Sequence, residues 1–315
     1  MNSIRNSCFE KFISNITATQ TEIDAIISSH TNVRQKLQKS NFNAEIRDIL
    51  LVGSYSRNTN TKTNIDDGKK IDIDIAVIFK KGSYEKPQSI LDKLFNFLDS
   101  FSEYKGKVKR QKRSVGIELS KTCVDVVPLQ EIKENLRSPL FISKKDKQDW
   151  EITDPIGHID YYKEINDEKP QFRNYVKALK WWKKVNKPEN YKYPIGIAIE
   201  ELVSKYYVKD NELFIGFLKT IESIYNNQNS LILIDPKNQE NNFLSNMNEI
   251  GFQDFKLRLE QTINDIKKAL DEEDISIIRK RLGNEFPECE INNEDDKERL
   301  KEQAKGNINY SSKVQ

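Results

Sequence analysis

Residues 50–74 read LLVGSYSRNTNTKTNIDDGKKIDID, and the predicted fold is built around this segment. Its apolar start predicts a strand, Gly53-Ser54 turns the chain, and a polar loop leads into a second strand over residues 71–80. The second strand carries Asp72 and Asp74, which are two residues apart, so both carboxylates project from one face. The isoleucines between and beside them point to the opposite face, where they can be buried. Two like charges side by side are costly unless a cation neutralises them, and hard divalent ions such as Mg²⁺ take oxygen ligands.

A third acid with the same requirement follows later in the chain. Residues 121–129 read KTCVDVVPL, a short apolar strand that places Asp125 between Val124 and Val126. A lone carboxylate in so apolar a strand needs a ligand or a hydrogen-bond partner. Three strand-borne acids, two of them spaced Asp-x-Asp behind a Gly-Ser turn, are what two-metal phosphoryl chemistry requires.

These motifs together resemble the signature of the polymerase-β-like nucleotidyltransferase superfamily. Within it, the chain most resembles the bacterial cGAS/DncV-like nucleotidyltransferases (CD-NTases), which make cyclic oligonucleotide signals in anti-phage defence and share a core with oligoadenylate synthetase. The resemblance implies an α+β fold, in which a mixed sheet with helices forms the nucleotidyltransferase core. It also implies an all-helical C-terminal lobe and a long N-terminal spine helix that runs along both lobes.

The composition narrows the class of protein. The chain has 315 residues, enough for two lobes, and its 51 Lys and Arg against 49 Asp and Glu leave a net charge of only +2. This balance argues against a dedicated duplex-binding protein and disfavours a nucleic-acid activator. No apolar run is long enough to span a membrane and no signal-peptide core is visible, so we expect a cytoplasmic protein without a membrane partner. Three widely separated cysteines indicate neither a disulfide framework nor a zinc site.

The order of the predicted elements divides the chain into three parts. Residues 3–38 have helical periodicity and predict the spine helix, either continuous or slightly broken. Strands are predicted at 47–53, 71–80, 106–112, 115–120 and 122–128, a helix at 87–102, and a loop over 137–149. Helical patterns then continue from residue 154 to 282. We therefore predict a nucleotidyltransferase core with the spine helix over 1–160, a helical domain over 161–290, and a partly disordered polar tail over 291–315.

Two polar segments could be mistaken for parts of the site. Asp66 and Asp67 form an acidic pair, but Ile65-Asp66-Asp67-Gly68 has turn chemistry and no strand periodicity, so we interpret it as a turn. Residues 105–113, KGKVKRQKR, could touch a triphosphate or a nucleic acid. Their alternation around Val108 favours the solvated face of an antiparallel strand, where lysines protect a free edge.

The resemblance also assigns roles to the acids and to the turn before them. It implies that Asp72 and Asp74 hold two Mg²⁺ ions, for which Mn²⁺ could substitute, and that Asp125 ligates only the catalytic ion. Gly53 and Ser54 fit a phosphate-binding turn, because glycine lets backbone N–H groups approach oxygens closely and the serine hydroxyl donates.

Further nucleotide-binding residues are expected around this centre. The turn continues through Arg57 and Thr59, where the family more often has glycine before the threonine and this chain has asparagine. In the segment Lys177-Ala-Leu-Lys-Trp-Trp-Lys183, the family's basic helix implies that Lys180 reaches the triphosphate, with Lys183 or Lys184 as alternatives. Asp235 begins an Asp-Pro…Asn element that the family closes against the nucleotide.

The resulting functional hypothesis is a Mg²⁺-dependent synthase that condenses nucleoside triphosphates into a cyclic di- or trinucleotide with release of pyrophosphate. ATP is the expected substrate, and GTP or other triphosphates are the alternatives. The resemblance places such an enzyme in CBASS anti-phage defence, beside regulatory proteins of the same operon. Two alternatives stay open at this point. One is a template-independent transferase that modifies RNA ends or a protein, as in toxin–antitoxin systems, and the other is a catalytically inactive nucleotide or RNA sensor.

Overall fold

The computed structural model describes residues 2–63, 69–133, 139–146, 148–272 and 274–288. The strands are β1 (Ile46–Val52), β2 (Ile71–Phe79), β3 (Val108–Arg110), β4 (Val115–Glu118), β5 (Thr122–Glu131), β6 (Leu140–Ser143), β7 (Trp150–Thr153), β8 (Ile234–Asp235) and β9 (Asn238–Asn242). The helices are α1 (Asn2–Ile16), α2 (Gln20–Gln38), α3 (Gly53–Ser56), α4 (Pro87–Asp99), α5 (Pro155–Glu168), α6 (Phe172–Asn186), α7 (Gly196–Tyr206), α8 (Leu213–Asn227), α9 (Glu249–Glu272) and α10 (Ile275–Leu282), with a 3-10 turn at Asn43–Glu45.

Strands β1 to β7 form one mixed sheet in the order β1-β2-β5-β4-β3, with β6 beside β5 and β7 beside β6. The central pair, β2 and β5, is parallel, and the other pairs are antiparallel. The chain passes from β2 to β5 through α4 and the β3–β4 hairpin, the long crossover that a parallel pair requires. The predicted α+β class with a mixed sheet is confirmed.

The two faces of this sheet differ in what they carry. On one face, Ile73, Ile75 and Val77 are fully buried beneath α2 and α4 in a large apolar core. Because successive strand residues alternate, Asp72, Asp74 and Ala76 project from the opposite face. That face is packed by a smaller apolar cluster at its far end, which leaves the carboxylates beside an open cleft.

The predicted spine helix is broken in two. α1 ends at Ile16 and α2 starts after Thr19, whose hydroxyl and backbone exchange hydrogen bonds with Glu22 in a capping box. α1 packs against α6 and α8 of the helical region, whereas α2 packs against β2 and β5 of the sheet. The buried residues of α2 are Glu22, Ile26, Val33 and Leu37, whereas Ile27 is exposed.

The helical region has its own apolar core, which α1 shares with the helices from α5 onward. Two predictions need correction here. The helical lobe also contains a two-stranded hairpin, β8–β9, because Ile234-Asp235 and residues 238–242 pair across a tight turn. Residues 137–149, predicted as a loop, include β6, which pairs with both β5 and β7. The proposed domain boundaries stay a prediction.

Some expectations fall on residues that are not described: the Asp66-Asp67 turn and the tail 291–315. Within the described part of the chain, none of the helices combines the length and apolar character needed to cross a membrane. Cys123 is a free thiol, whereas Cys8 is disulfide-bonded. The number and spacing of the cysteines had indicated no disulfide framework, so the disulfide of Cys8 was not predicted.

Candidate active site

The three acids predicted to act together meet on one face of the sheet, here called the acid face. In the parallel pairing of β2 and β5, Asp74 lies directly opposite Asp125, and Asp72 lies opposite Cys123. Adjacent strands are about 4.8 Å apart, so Asp125 is within reach of a ligand shared with Asp74. The register therefore assembles Asp72, Asp74 and Asp125 from two segments that are about 50 residues apart in the chain.

Gly53 fits this arrangement for two independent reasons. Its φ of +74° lies in the left-handed region that favours glycine. A Cβ at this position would stand 2.0 Å from the Asp74 carboxylate oxygen Oδ2. The Gly-Ser turn therefore lies directly against Asp74, and no other residue type could occupy position 53 without displacing that carboxylate.

The end of the same turn explains the departure from the family pattern. Asn58 has a φ of +57°, and asparagine is one of the few residues other than glycine that adopt this conformation readily. The Asn58 conformation lets the Thr59 backbone N–H donate to the Ser54 carbonyl at 2.9 Å. The family's glycine and this chain's asparagine thus serve the same backbone requirement.

The pKa values of all three carboxylates of the acid face are raised, chiefly by burial. Burial, followed by the charges of Asp125 and Asp72, raises the pKa of Asp74 to about 6 against an opposing effect of Arg57. Burial raises the pKa of Asp125, and Asp72 adds to it. Burial also raises the pKa of Asp72, with Lys184 acting in the opposite direction. A cation bound at this face would remove these penalties.

Asp125 is held by a side chain from outside the expected site. The Gln111 amide Nε2 donates to Asp125 Oδ1 at 2.8 Å, and Ser114 Oγ donates to Gln111 Oε1 at 2.8 Å. Gly116 leaves room for this contact, because a Cβ there would stand 2.5 Å from Gln111 Nε2. Across the described residues, no three His, Cys, Asp or Glu side chains form a ready-made metal cluster. The acid face nevertheless fits a divalent cation in its donor type, in its shared orientation and in its excess of negative charge.

Arg57, Thr59 and Lys180, all predicted to bind nucleotide, converge instead on Glu200 of α7; we call these four residues the Glu200 cluster. Arg57 donates from Nε and Nη2 to the two carboxylate oxygens of Glu200, at 2.6 and 3.2 Å. Lys180 Nζ and Thr59 Oγ1 donate to Glu200 Oε1 at 2.7 and 2.8 Å. Glu200 has no exposed surface. Burial alone would raise its pKa, but Lys180 and Arg57 outweigh this effect and lower the pKa to about 2.

The remaining lysines of α6 lie close to one another. Lys183 Nζ donates to the Pro194 carbonyl at 3.0 Å, and Lys184 Nζ donates to Thr61 Oγ1 at 2.8 Å. Burial and neighbouring lysines lower the pKa of Lys183 to about 8, and burial with the charge of Lys69 does the same to Lys184. The helix therefore places a surplus of positive charge beside the acid face.

A cavity of about 590 Å³ joins the acid face to the helical region. Gly53, Asp74 and Arg57 line its sheet side, and Asp235 lines the opposite side. Asp235 is buried, and its Oδ1 is hydrogen-bonded to His158 Nε2 at 2.7 Å. Burial would raise the pKa of Asp235, but the His158 contact lowers it. His158 lies in the first turn of α5, and its side chain fixes the position of Asp235.

The sequence-based prediction missed several residues of this region. Arg113, Lys144 and Lys145 line the cavity, although the segments that carry them were interpreted as solvated strand and loop. Gln111 has no sequence signal. Glu200 has one, because two adjacent glutamates in an otherwise apolar helix require buried partners.

The structure has a Gly-Ser turn packed against strand-borne acids, on the cleft side of a mixed sheet with a helical lobe. This is the arrangement that the resemblance to polymerase-β-like nucleotidyltransferases implies. The sequence-family model of the second messenger oligonucleotide or dinucleotide synthetase domain matches residues 3–166 of the chain. The chain is 30% identical over 295 residues to a cyclic AMP-AMP-AMP synthase of an Acinetobacter species, which covers 89% of this chain and 84% of the relative. It is 23% identical to a cyclic AMP-AMP-GMP synthase of Enterobacter hormaechei, over 89% of this chain and 91% of the relative.

Solved structures agree on the fold. The CD-NTase CdnG of Bradyrhizobium diazoefficiens in complex with GTP superposes with a TM-score of 0.74 at 14% identity, over 90% of this chain and 96% of the other. The E. coli CdnC in a CdnC:HORMA-deltaN complex superposes with a TM-score of 0.71 at 17% identity, over 89% of this chain and 97% of the other. The chain belongs to the second messenger oligonucleotide or dinucleotide synthetase family. This confirms the predicted class of enzyme, a nucleotidyltransferase that makes cyclic oligonucleotides. The family generally uses divalent metal ions.

Proposed function

We propose that the enzyme condenses ATP into a cyclic trinucleotide and releases pyrophosphate at each step. The product class is supported by the relative that matches at 30% identity, which makes cyclic AMP-AMP-AMP. The observation that carries the chemistry is the acid face, where three mutually repelling carboxylates lie beside a Gly-Ser turn that is packed against one of them.

The acid face is proposed to hold two Mg²⁺ ions. Asp72 and Asp74 would contact both ions, and Asp125, oriented by Gln111, would contact one. Bound there, the ions would lower the pKa of the attacking ribose hydroxyl and stabilise the departing pyrophosphate. These carboxylates must be ionised to bind metal. Because their pKa values are raised, metal binding should release protons and weaken as the pH falls.

The other side chains are proposed to bind and orient the nucleotide. Gly53 and Ser54 would receive the phosphates, since glycine allows the backbone to approach them closely. Lys183 and its neighbours on α6 would balance phosphate charge. Asp235, fixed by His158, would form the far wall of the nucleotide cavity.

The biological setting is proposed from the relatives and neighbours. A role in CBASS anti-phage defence agrees with the family, and the CdnC neighbour was solved together with a HORMA protein, which supports a protein regulator here. The proposed substrate, ATP, is cytoplasmic, so we propose the cytoplasm as the place of action.

The test is to incubate the purified chain with ATP, or with mixed nucleoside triphosphates, and Mg²⁺, and to identify phosphatase-resistant products by mass spectrometry. We expect cyclic AMP-AMP-AMP together with metal-dependent pyrophosphate release, and loss of both with EDTA or in the Asp72→Asn/Asp74→Asn variant. Label transferred to RNA or protein would instead support an end-modifying transferase. Nucleotide binding without pyrophosphate release would support an inactive sensor.

A further inference from the structure

The Glu200 cluster carries one more positive charge than its single carboxylate can neutralise. Two cations, Arg57 and Lys180, surround the single carboxylate of Glu200, so one positive charge is left over in a region with almost no access to water. Buried charges are expensive unless they are paired. A surplus cation that is retained at such a cost points to an anion that is bound during function.

This surplus lies against the turn that contacts the acid face. The Thr59 backbone N–H donates to the Ser54 carbonyl at 2.9 Å, and the Thr59 hydroxyl donates to Glu200. Arg57 lines the cavity and acts electrostatically on Asp74. The Glu200 cluster therefore joins α6 and α7 of the helical region directly to the turn over 53–59.

Lys180 has no donor to spare in this arrangement. Its ammonium group has three hydrogens, and it contacts Glu200 Oε1 at 2.7 Å, Thr59 Oγ1 at 3.0 Å and the Thr59 carbonyl at 3.2 Å. In this structure, Lys180 thus acts on a ligand through its charge and through the turn that it holds. Both effects depend on Glu200.

We propose that Glu200 is a positioning residue, whose carboxylate keeps Lys180 charged and fixes the Arg57 guanidinium, so that the Glu200 cluster directs positive charge at the phosphates of a nucleoside triphosphate bound at the turn over 53–59. The inference rests on the proposed function for the identity of its ligand. It does not depend on which cyclic product is made.

The charges that face Lys180 make the role of Glu200 testable through pH. Burial lowers the pKa of Lys180, Glu200 raises it, and Arg57 lowers it again. Lys180 in turn lowers the pKa of three lysines on its own helix, so repulsion within α6 is mutual. Without Glu200, the charged groups around Lys180 in the described residues are all cations: Arg57, Lys177, Lys183 and Lys184. Lys180 then loses its proton as the pH rises.

The experiment measures the Kd of an α,β-methylene analogue of ATP with Mg²⁺ by calorimetry between pH 6.5 and 9, for the wild type and for Glu200→Gln. We expect the variant to bind about tenfold more weakly at pH 6.5, and the ratio of the two Kd values to grow by about a further tenfold by pH 9. The matched control is Glu201→Gln, which removes the neighbouring carboxylate on α7. This control should stay within about twofold of the wild type throughout.

A Kd ratio that does not change with pH, or tighter binding by Glu200→Gln, would overturn the proposal. If Glu200→Gln does not fold, the double variant Glu200→Gln/Lys180→Met is used, because its remaining Arg57 preserves the net charge of the Glu200 cluster. It should bind the analogue weakly at every pH, and wild-type affinity in this variant would also overturn the proposal. A wild type that binds the analogue but makes no cyclic product would refute the proposed function and leave the role of Glu200 standing.

Discussion

The acid face and the Glu200 cluster lie on two sides of one short turn, and they treat charge in opposite ways. The acid face gathers three carboxylates, and no ion pair within the described part of the chain neutralises them. In the Glu200 cluster, the single carboxylate is neutralised, because both Arg57 and Lys180 donate to it. Accordingly, the pKa of Asp74 is raised to about 6 and that of Glu200 is lowered to about 2.

This difference distinguishes the acid face, whose charge a bound cation would neutralise, from the Glu200 cluster, which fixes the position of the turn beside it. A carboxylate group with raised pKa values in a cleft is a marker of function, since the fold keeps a repulsion that a bound cation would relieve. A fully hydrogen-bonded ionic cluster rigidifies the elements that it joins. The turn over 53–59 contacts both, so the position of the acids depends on the paired cluster behind them.

The largest expected effect comes from Asp74→Asn, which breaks the acid face but leaves its shape. Asp74 is a proposed metal ligand, and loss of such a ligand removes about 4 kcal/mol or more of transition-state stabilisation. Turnover, measured as pyrophosphate release, should therefore fall about a thousandfold or more. The melting temperature without metal should rise, because the substitution removes a buried repulsion.

The control for this prediction is Asp92→Asn, which removes an exposed carboxylate of α4 that pairs with Arg110. Exposed pairs contribute little, so activity and melting temperature should both stay near those of the wild type. Equal activity in Asp74→Asn and Asp92→Asn would show that the acid face is not the catalytic centre.

The next largest effect is expected from Gly53→Ala, which tests the contact between the turn and the acid face. The added Cβ would strike Asp74 Oδ2, and the φ of +74° is strained for alanine. Turnover should fall about a hundredfold with little change in the fold.

Gly82→Ala separates the two causes. Gly82 has a φ of +73° and nothing within 4 Å of an added Cβ, so this variant carries the same backbone strain without the collision. It should lose about 1 kcal/mol of stability and keep its activity. If both variants lost activity equally, the contact between Gly53 and Asp74 would have no functional role.

The comparison also shows what local sequence can reveal. The acid face was predictable because Asp-x-Asp on a strand fixes a shared face within three residues, and only the pairing with Asp125 is nonlocal. The break in the spine helix was equally local, because Thr19 and Glu22 have the spacing of a capping box.

The Glu200 cluster could not be predicted in the same way. Arg57 and Glu200 are 143 positions apart, and nothing near either residue specifies the other. The resemblance implies nucleotide binding by Arg57, Thr59 and Lys180, which stays a prediction, and their common partner depends on how α7 packs against α6. Gln111 is a similar case, since its contact with Asp125 follows from the β3–β4 hairpin and the space left by Gly116.

The smallest effect is expected at Glu201, which belongs neither to the acid face nor to the Glu200 cluster. Glu201 follows Glu200 on α7, accepts a hydrogen bond from the Tyr162 hydroxyl at 3.0 Å, and has its pKa raised to about 7, chiefly by burial. Between its ordinary value of 4.5 and about 7, the folded state binds more protons than the unfolded state, so stability falls as the pH rises through this range. Glu201→Gln mimics the protonated acid, keeps an acceptor for Tyr162 and removes this dependence.

We therefore expect Glu201→Gln to match the wild type in thermal unfolding at pH 5 and to exceed it at pH 8 by about 2 kcal/mol. Glu200→Gln should be less stable than the wild type at both values, because the pKa of Glu200 lies below this range and its charge is present throughout. The two variants differ by one position on the same helix, so helix propensity and side-chain volume cancel between them. A stability difference for Glu201→Gln that did not grow with pH would mean that Glu201 is ionised at pH 5, and the contrast between the two glutamates would then be lost.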